Sequence, residues 1–190
     1  EANRDWLMPR YIDPESIEVI LCIQSYIIKT LHHTILVDTC VGNHKPRPAR
    51  PSWDMQDGPF LTELAAVGVT PEEVDFVLCT HLHVDHVGWN TRLINGKWVP
   101  TFPNAKYIFS RNEFELWEKR YSSGATVPVP LVYEDSVLPI VEAGQALIVE
   151  DSHQIDDGMW LEPAPGHTPG HVMLNLKSGD NSALMSGDVI

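Results

Sequence analysis

The segment HLHVDH, residues 81–86, places three histidines and one aspartate in six positions, directly after the run VDFVLCT. No other feature of the chain constrains its fold as strongly. On a helix, side chains two positions apart point in different directions. In a tight turn at the end of a strand, His81, His83, Asp85 and His86 can converge. Imidazole nitrogen and carboxylate oxygen both bind zinc at about 2.0–2.2 Å. One ion can take His81 and His83 and a second Asp85 and His86, each needing further ligands. The competing reading is a solvated polar loop that holds no ion. Two later stretches bear on the choice. GHTPGH (166–171) sets His167 in a glycine-flanked turn after a predicted strand, and SGD (186–188) sets Asp188 at the end of another. A third histidine completes one site, and an aspartate can bridge two ions through its two oxygens.

Around these turns the chain reads as α+β. The run IEVILCIQSYIIKT (17–30) is rich in β-branched residues and predicts one long or bent strand. LHHT (31–34) makes a turn with His32 and His33 solvated, and ILVD (35–38) returns as a second strand. Pro59 opens a helix with Phe60, Leu61, Leu64 and Ala65 on one face and Gly68 as its stop. Residues 70–73 and 110–113 read as capping boxes. The first starts a short turn. The second starts a helix running to about Arg120 with Phe114 and Trp117 inward. Strands are predicted over 74–80, 105–109, 146–149, 159–164, 171–177 and 182–186, and residues 121–140 form an irregular, proline-containing insertion with some helix. The stretch HKPRPARPSW (44–53) has two readings: a lid whose His44, Arg47 and Arg50 meet an anionic substrate group, or a mobile surface loop. Trp53, Trp89 and Trp98 either line an apolar substrate pocket or belong to the core.

Composition narrows the function. The length of 190 residues suits one domain. A net charge of −13 argues against nucleic acid and against an anionic membrane as partners, which leaves small molecules. Cys22, Cys40 and Cys79 form neither a CxxC pair nor a disulfide framework. Cys22 and Cys79 lie in apolar runs and read as buried free thiols in a reducing cytoplasm. No apolar run is long enough to span a bilayer. The chain begins at Glu1 and stops two residues after Asp188, so residues 1–190 are expected to be a single domain incomplete at its C-terminus. An open sheet edge there favours pairing as a homodimer.

HLHVDH, then GHTPGH, then SGD, together with VDTC (37–40) and VDFVLCT (74–80), resembles the metallo-β-lactamase-fold hydrolase superfamily over nearly the whole chain. VDTC stands where the family usually has VDTG, with Cys40 in place of glycine. The resemblance implies an αββα sandwich whose last strands and helix lie beyond Ile190. It implies one metal site of His81, His83 and His167 and a second of Asp85 and His86, with Asp188 bridging the two. The family's further histidine on the second site falls past the end of this sequence. The implied cofactor is a pair of zinc ions, with iron or manganese as alternatives. Asp85 would be the catalytic residue, orienting a metal-bridging hydroxide and shuttling its proton. Asp38 would support the metal loop, His171 would hydrogen-bond behind the site or serve the fold, and Trp89 would line the substrate.

An aspartate at Asp188 resembles lactonases, organophosphate hydrolases, glyoxalase II-like thioesterases and tRNA-processing nucleases more than zinc β-lactamases. The acidic balance argues against the nucleases. HVDHVGWNT (83–91) and FPNAKYIFSRNEFELW (102–117) are most similar to the lactonase and methyl-parathion-hydrolase branch. The expected activity is therefore hydrolysis of a lactone, ester or organophosphate. The alternatives are an inactive or partly metallated fragment, a mononuclear-iron persulfide dioxygenase, a glyoxalase II-like thioesterase and a β-lactamase.

Overall fold

Short strands, buried on both faces in one sheet and on alternate residues in the other, set up the layers of the molecule. The computed structural model describes residues 4–124 and 129–189. In chain order the elements are α1 (Arg4–Leu7), β1 (Tyr26–Lys29), β2 (Thr34–Val37), α2 (Phe60–Ala66), β3 (Phe76–Leu78), β4 (Thr91–Ile94), β5 (Lys97–Pro100), β6 (Lys106–Ser110) and α3 (Arg111–Ser122). They continue with α4 (Val129–Val132), α5 (Leu138–Glu142), β7 (Ala146–Val149), β8 (Gln154–Asp156), β9 (Met159–Pro163), β10 (Val172–Ser178) and β11 (Asn181–Met185). One sheet has the order β1-β2-β3-β6-β7, parallel except for β1 at its edge. A second, antiparallel sheet has the order β11-β10-β9-β8. β4 and β5 form a separate hairpin.

Side chains alternate across a strand, so each strand of the parallel sheet feeds two cores. Ile35, Val37, Leu78 and Ile108 pack on Met159, Leu161, Val172 and Leu174 of the second sheet. Leu36, Val77, Tyr107 and Phe109 face the other way, into a core with Leu64, Trp117, Val132 and Ile140 from the helical layer. The result is three of the four expected layers, α, β and β, in a mixed α+β fold. Trp160, Asn175 and Leu184 are paired across the outer face of the second sheet, where Trp160 and Leu184 are exposed. Among the described residues, no helix is long and apolar enough to cross a membrane.

Several expectations need correction. The long strand over 17–30 shrinks to β1, and Ile17, Val19, Ile20 and Leu21 are exposed. A strand needs a partner, and β2 offers only four residues before Asp38 turns the chain at φ 56°. Cys22 lies on that unpaired segment and is exposed, whereas Cys79 is buried as expected. Ala65 is exposed, because α2 buries Leu64 and only partly Phe60 and Leu61. The insertion is more helical than expected: α4, a π-helical turn over Tyr133–Val137 and α5 follow one another. Residues 125–128 of that insertion lie outside the described residues. The β4–β5 hairpin was missed, although Asn95-Gly96 signals it; both adopt positive φ, as a tight hairpin turn requires. The capping box at Thr70 and Glu73 is present with both of its bonds.

The proline-rich stretch 44–53 is neither a free lid nor a loose loop. Lys45 is fully buried, with Nζ 2.8 Å from Thr91 Oγ1 and 2.9 Å from the Asp135 carbonyl oxygen, and it sits 3.8 Å over the Trp98 ring. Arg47, also buried, grips the Asp135 carboxylate with two arms at 2.7 and 2.9 Å. Burial pulls Lys45 down to about 7, against the attraction of Asp135. His44 and Arg50 remain exposed. One carboxylate thus rivets this stretch to the π-helical turn, so Asp135→Asn would leave buried Arg47 without its anion and drive buried Lys45 further towards its neutral form. It is expected to lower unfolding free energy by about 3–5 kcal/mol in urea denaturation. A loss below about 1 kcal/mol would contradict the rivet.

Candidate metal centre

The ligand-type residues come together at the carboxyl ends of the parallel strands, where open α/β sheets present their sites. β2 ends at Val37 and is followed by Asp38, and β3 leads through Cys79 and Thr80 into the turn 81–86. The loop after β9 carries His167 and His171, and the exit from β11 carries Asp188. The turn 81–86 is held close to the loop after β2 by backbone contact. A Cβ on Gly88 would lie 1.9 Å from the Val41 carbonyl group, so only glycine fits there. Cys40, in place of the glycine expected after VDT, is itself at φ 51° and carries the strain of that region.

Three imidazole nitrogens meet at one point. His83 Nδ1 lies 3.0 Å from His81 Nε2 and 2.8 Å from His167 Nε2. Tetrahedral zinc with nitrogen ligands at 2.0–2.1 Å would set such nitrogens about 3.3 Å apart, close to this spacing. Asp188 Oδ2 stands 3.5 Å from His167 Nε2 and 3.5 Å from His86 Nε2, between this trio and the next group. Asp85 Oδ2 is 3.8 Å from His86 Nε2. His81, His83 and His167 form one potential ligand group, and His81, His86 and Asp188 form another.

The hydrogen bonds behind these rings decide which nitrogen faces inward. The buried Asp38 carboxylate accepts from the Thr80 N–H at 2.8 Å, from the Thr80 hydroxyl at 2.9 Å and from His86 Nδ1 at 2.8 Å. With its proton given to Asp38, the Thr80 oxygen is left to accept from His81 Nδ1, 3.2 Å away. His81 Nε2 therefore presents its lone pair to the centre, and His86 Nε2 does so when its ring is neutral.

Titration follows from that arrangement. Burial pushes His81 far below its ordinary range, with His86 and His83 adding to the effect. Burial, then His167, lowers His83 as well. Neutral imidazole is the form that binds a metal. His86 goes the other way: burial opposes its charge, but Asp38, Asp85 and Asp188 overcome this and raise it to about 9. A lone pair facing carboxylates demands a cation between them, and a proton fills that role on His86.

His171 is not among these ligand groups. Its Nε2 accepts from the Asp188 N–H at 3.1 Å, which places it behind the Asp188 backbone. Trp89 lies away from the cavity beside the ligands; it is buried and stacks on Phe60 at 5.2 Å. Trp53 is the tryptophan of the proline-rich stretch that does line this cavity, together with Trp117. Trp98 lies under Lys45. Glu113 also belongs to the centre. Sequence reasoning assigned its side chain to a capping box, but only the Ser110 half forms: Ser110 Oγ accepts from the Glu113 N–H at 3.4 Å. The Glu113 carboxylate is buried among the ligand turns instead. No local pattern signals this, because its partners lie 31 and 57 residues away.

Comparison with known proteins agrees with this geometry. The model of the metallo-beta-lactamase superfamily matches residues 23–190. N-acyl homoserine lactonase of Bacillus cereus is 26% identical over 173 residues, covering 83% of this chain and 59% of the relative. N-acyl homoserine lactonase AiiA of Bacillus thuringiensis subsp. kurstaki is 26% identical over 182 residues, covering 87% and 62%. Among solved structures, the hydrolase AbOPH in the beta lactamase superfamily superposes with a TM-score of 0.75 at 26% identity, covering 98% of this chain and 62% of that one. A quorum-quenching N-acyl homoserine lactone lactonase superposes with a TM-score of 0.58 at 26% identity, covering 84% and 58%. The chain thus spans about three-fifths of the length of these relatives. With the histidine turn, the second histidine loop and the strand-end aspartate meeting at one point, and a family match over residues 23–190, this chain belongs to the metallo-beta-lactamase superfamily.

Proposed function

We propose that this chain carries the metal-binding part of a zinc-dependent lactonase acting on a lactone with an apolar acyl substituent. The observation that carries this reading is the cavity beside the ligands. It has a volume of about 380 Å³ and is lined by His83, Asp85, His167 and Asp188. Trp53, Val84, Trp117, Leu131 and Val132 give the same cavity an apolar wall, and Arg47 and Arg50 also line it. A polar reacting group and an apolar tail fit such a mixed lining. The lactonase relatives support the substrate class.

His81, His83 and His167 would hold one ion, and Asp85, His86 and Asp188 would take part in holding a second. When bound, the ions would supply Lewis acidity and a water acidified towards neutral pH. The chain's own groups do the rest. Water adds to the lactone carbonyl carbon, the ring C–O bond breaks, and an alcohol and a carboxylic acid result, the acid then releasing its proton to solvent. Asp85 Oδ2 takes the proton of the attacking water and passes it to the departing ring oxygen. The apolar wall keeps bulk water from the tail and orients the ring. Cys22, Cys40 and Cys79 are free thiols, which supports a cytoplasmic location.

The test is a comparison of N-acyl homoserine lactones of increasing chain length with a simple aryl ester, a phosphotriester and a β-lactam, using the full-length protein loaded with zinc. Lactone turnover is expected to dominate, with KM falling as the acyl chain lengthens. Turnover of the phosphotriester or β-lactam alone would contradict the reading. Asp85→Ala is expected to keep the fold and to lower lactone turnover by about 10²–10⁴-fold. An Asp85→Ala protein with wild-type kcat would remove the proton-transfer role.

A further inference from the structure

We infer that Glu113 is the positioning residue that holds the two histidine turns in register. It rests on the metal-site reading above. Glu113 is 1% exposed, in the first turn of α3. Its Oε1 accepts from the Leu82 N–H at 3.0 Å and from Trp117 Nε1 at 2.8 Å. Its Oε2 accepts from the Gly170 N–H at 3.2 Å. Leu82 lies between His81 and His83, and Gly170 lies three residues after His167. One carboxylate therefore ties together the two chain segments that bring His81, His83 and His167 to a point.

The surroundings are built for this contact. A Cβ on Gly170 would lie 2.0 Å from the Glu113 main-chain nitrogen, so the turn can approach α3 only as glycine. Ser110 Oγ, at the start of the same helix, donates to the Gly170 carbonyl oxygen at 2.5 Å. Trp117, anchored by its bond to Glu113, lays its ring edge-to-face against His83 at 5.8 Å. Burying a carboxylate costs free energy unless donors surround it, and three N–H groups and the helix N-terminus do so here. A neutral apolar residue would serve the core alone at less cost. The carboxylate adds two acceptor oxygens spaced to reach both turns at once.

Glu113→Gln separates the tie from the shape. Its amide oxygen can still accept from Leu82 and Trp117. Its NH₂ then faces the Gly170 N–H, donor against donor, and the His167 turn is released. In the full-length protein, zinc affinity measured by competition with a chromophoric chelator is expected to fall about 10–100-fold, as for other partners that orient metal ligands. The visible spectrum of the cobalt-substituted protein is expected to change, while near-ultraviolet circular dichroism stays native. Wild-type zinc affinity and an unchanged cobalt spectrum in Glu113→Gln would overturn the assignment. Loss of the native dichroism signal would overturn it too, by making Glu113 a folding residue. A wild-type protein that binds neither metal would sink the metal-site reading itself, a failure visible without any variant.

Discussion

Four imidazoles gathered around one point cannot all carry protons. His81, His83, His86 and His167 sit within a few ångströms of one another, with Asp188 between two of them. Burial favours the neutral form of His81 and His83, whose facing nitrogens lie 3.0 Å apart. Neutral imidazoles at this spacing are the form in which histidine binds a metal ion. The rest of the structure is organised to hold them there.

The holding is done by buried polar groups, each at a junction between chain segments. Asp38, at φ 56°, joins the end of β2 to Thr80 and His86. His171 braces the main chain of Asp188. Glu113 joins the two histidine turns. Asp135 plays the same part for the cavity wall, through Lys45 and Arg47. Beneath them, the two apolar cores supply the rigid sheets from which these groups project. Asp38 and Cys40, both at positive φ, place backbone strain in the turn next to the site.

Much of this was legible in the sequence. HLHVDH, GHTPGH and SGD named the residues that the fold brings together, since ligand chemistry demands those side chains on short, sharp turns. The strands of the parallel sheet were legible because two-sided burial leaves β-branched runs with turn signals at their ends. Three things were not. The run 17–30 looked like a strand because propensity says nothing about whether a partner exists. The stretch with Lys45 and Arg47 read as a lid or a surface loop because their anion, Asp135, is about 90 residues away. Glu113 looked like a helix cap because two of its partners, Leu82 and Gly170, lie 31 and 57 residues away. Local patterns report local bonds, and long-range electrostatics appears only once the chain is folded.

The central claim is that the histidine turn and its partners form a two-metal site. The most direct test is elemental analysis of the full-length protein purified without added metal and then dialysed against zinc. Two tightly held divalent ions per chain are the predicted result. One ion, or none, would contradict the account.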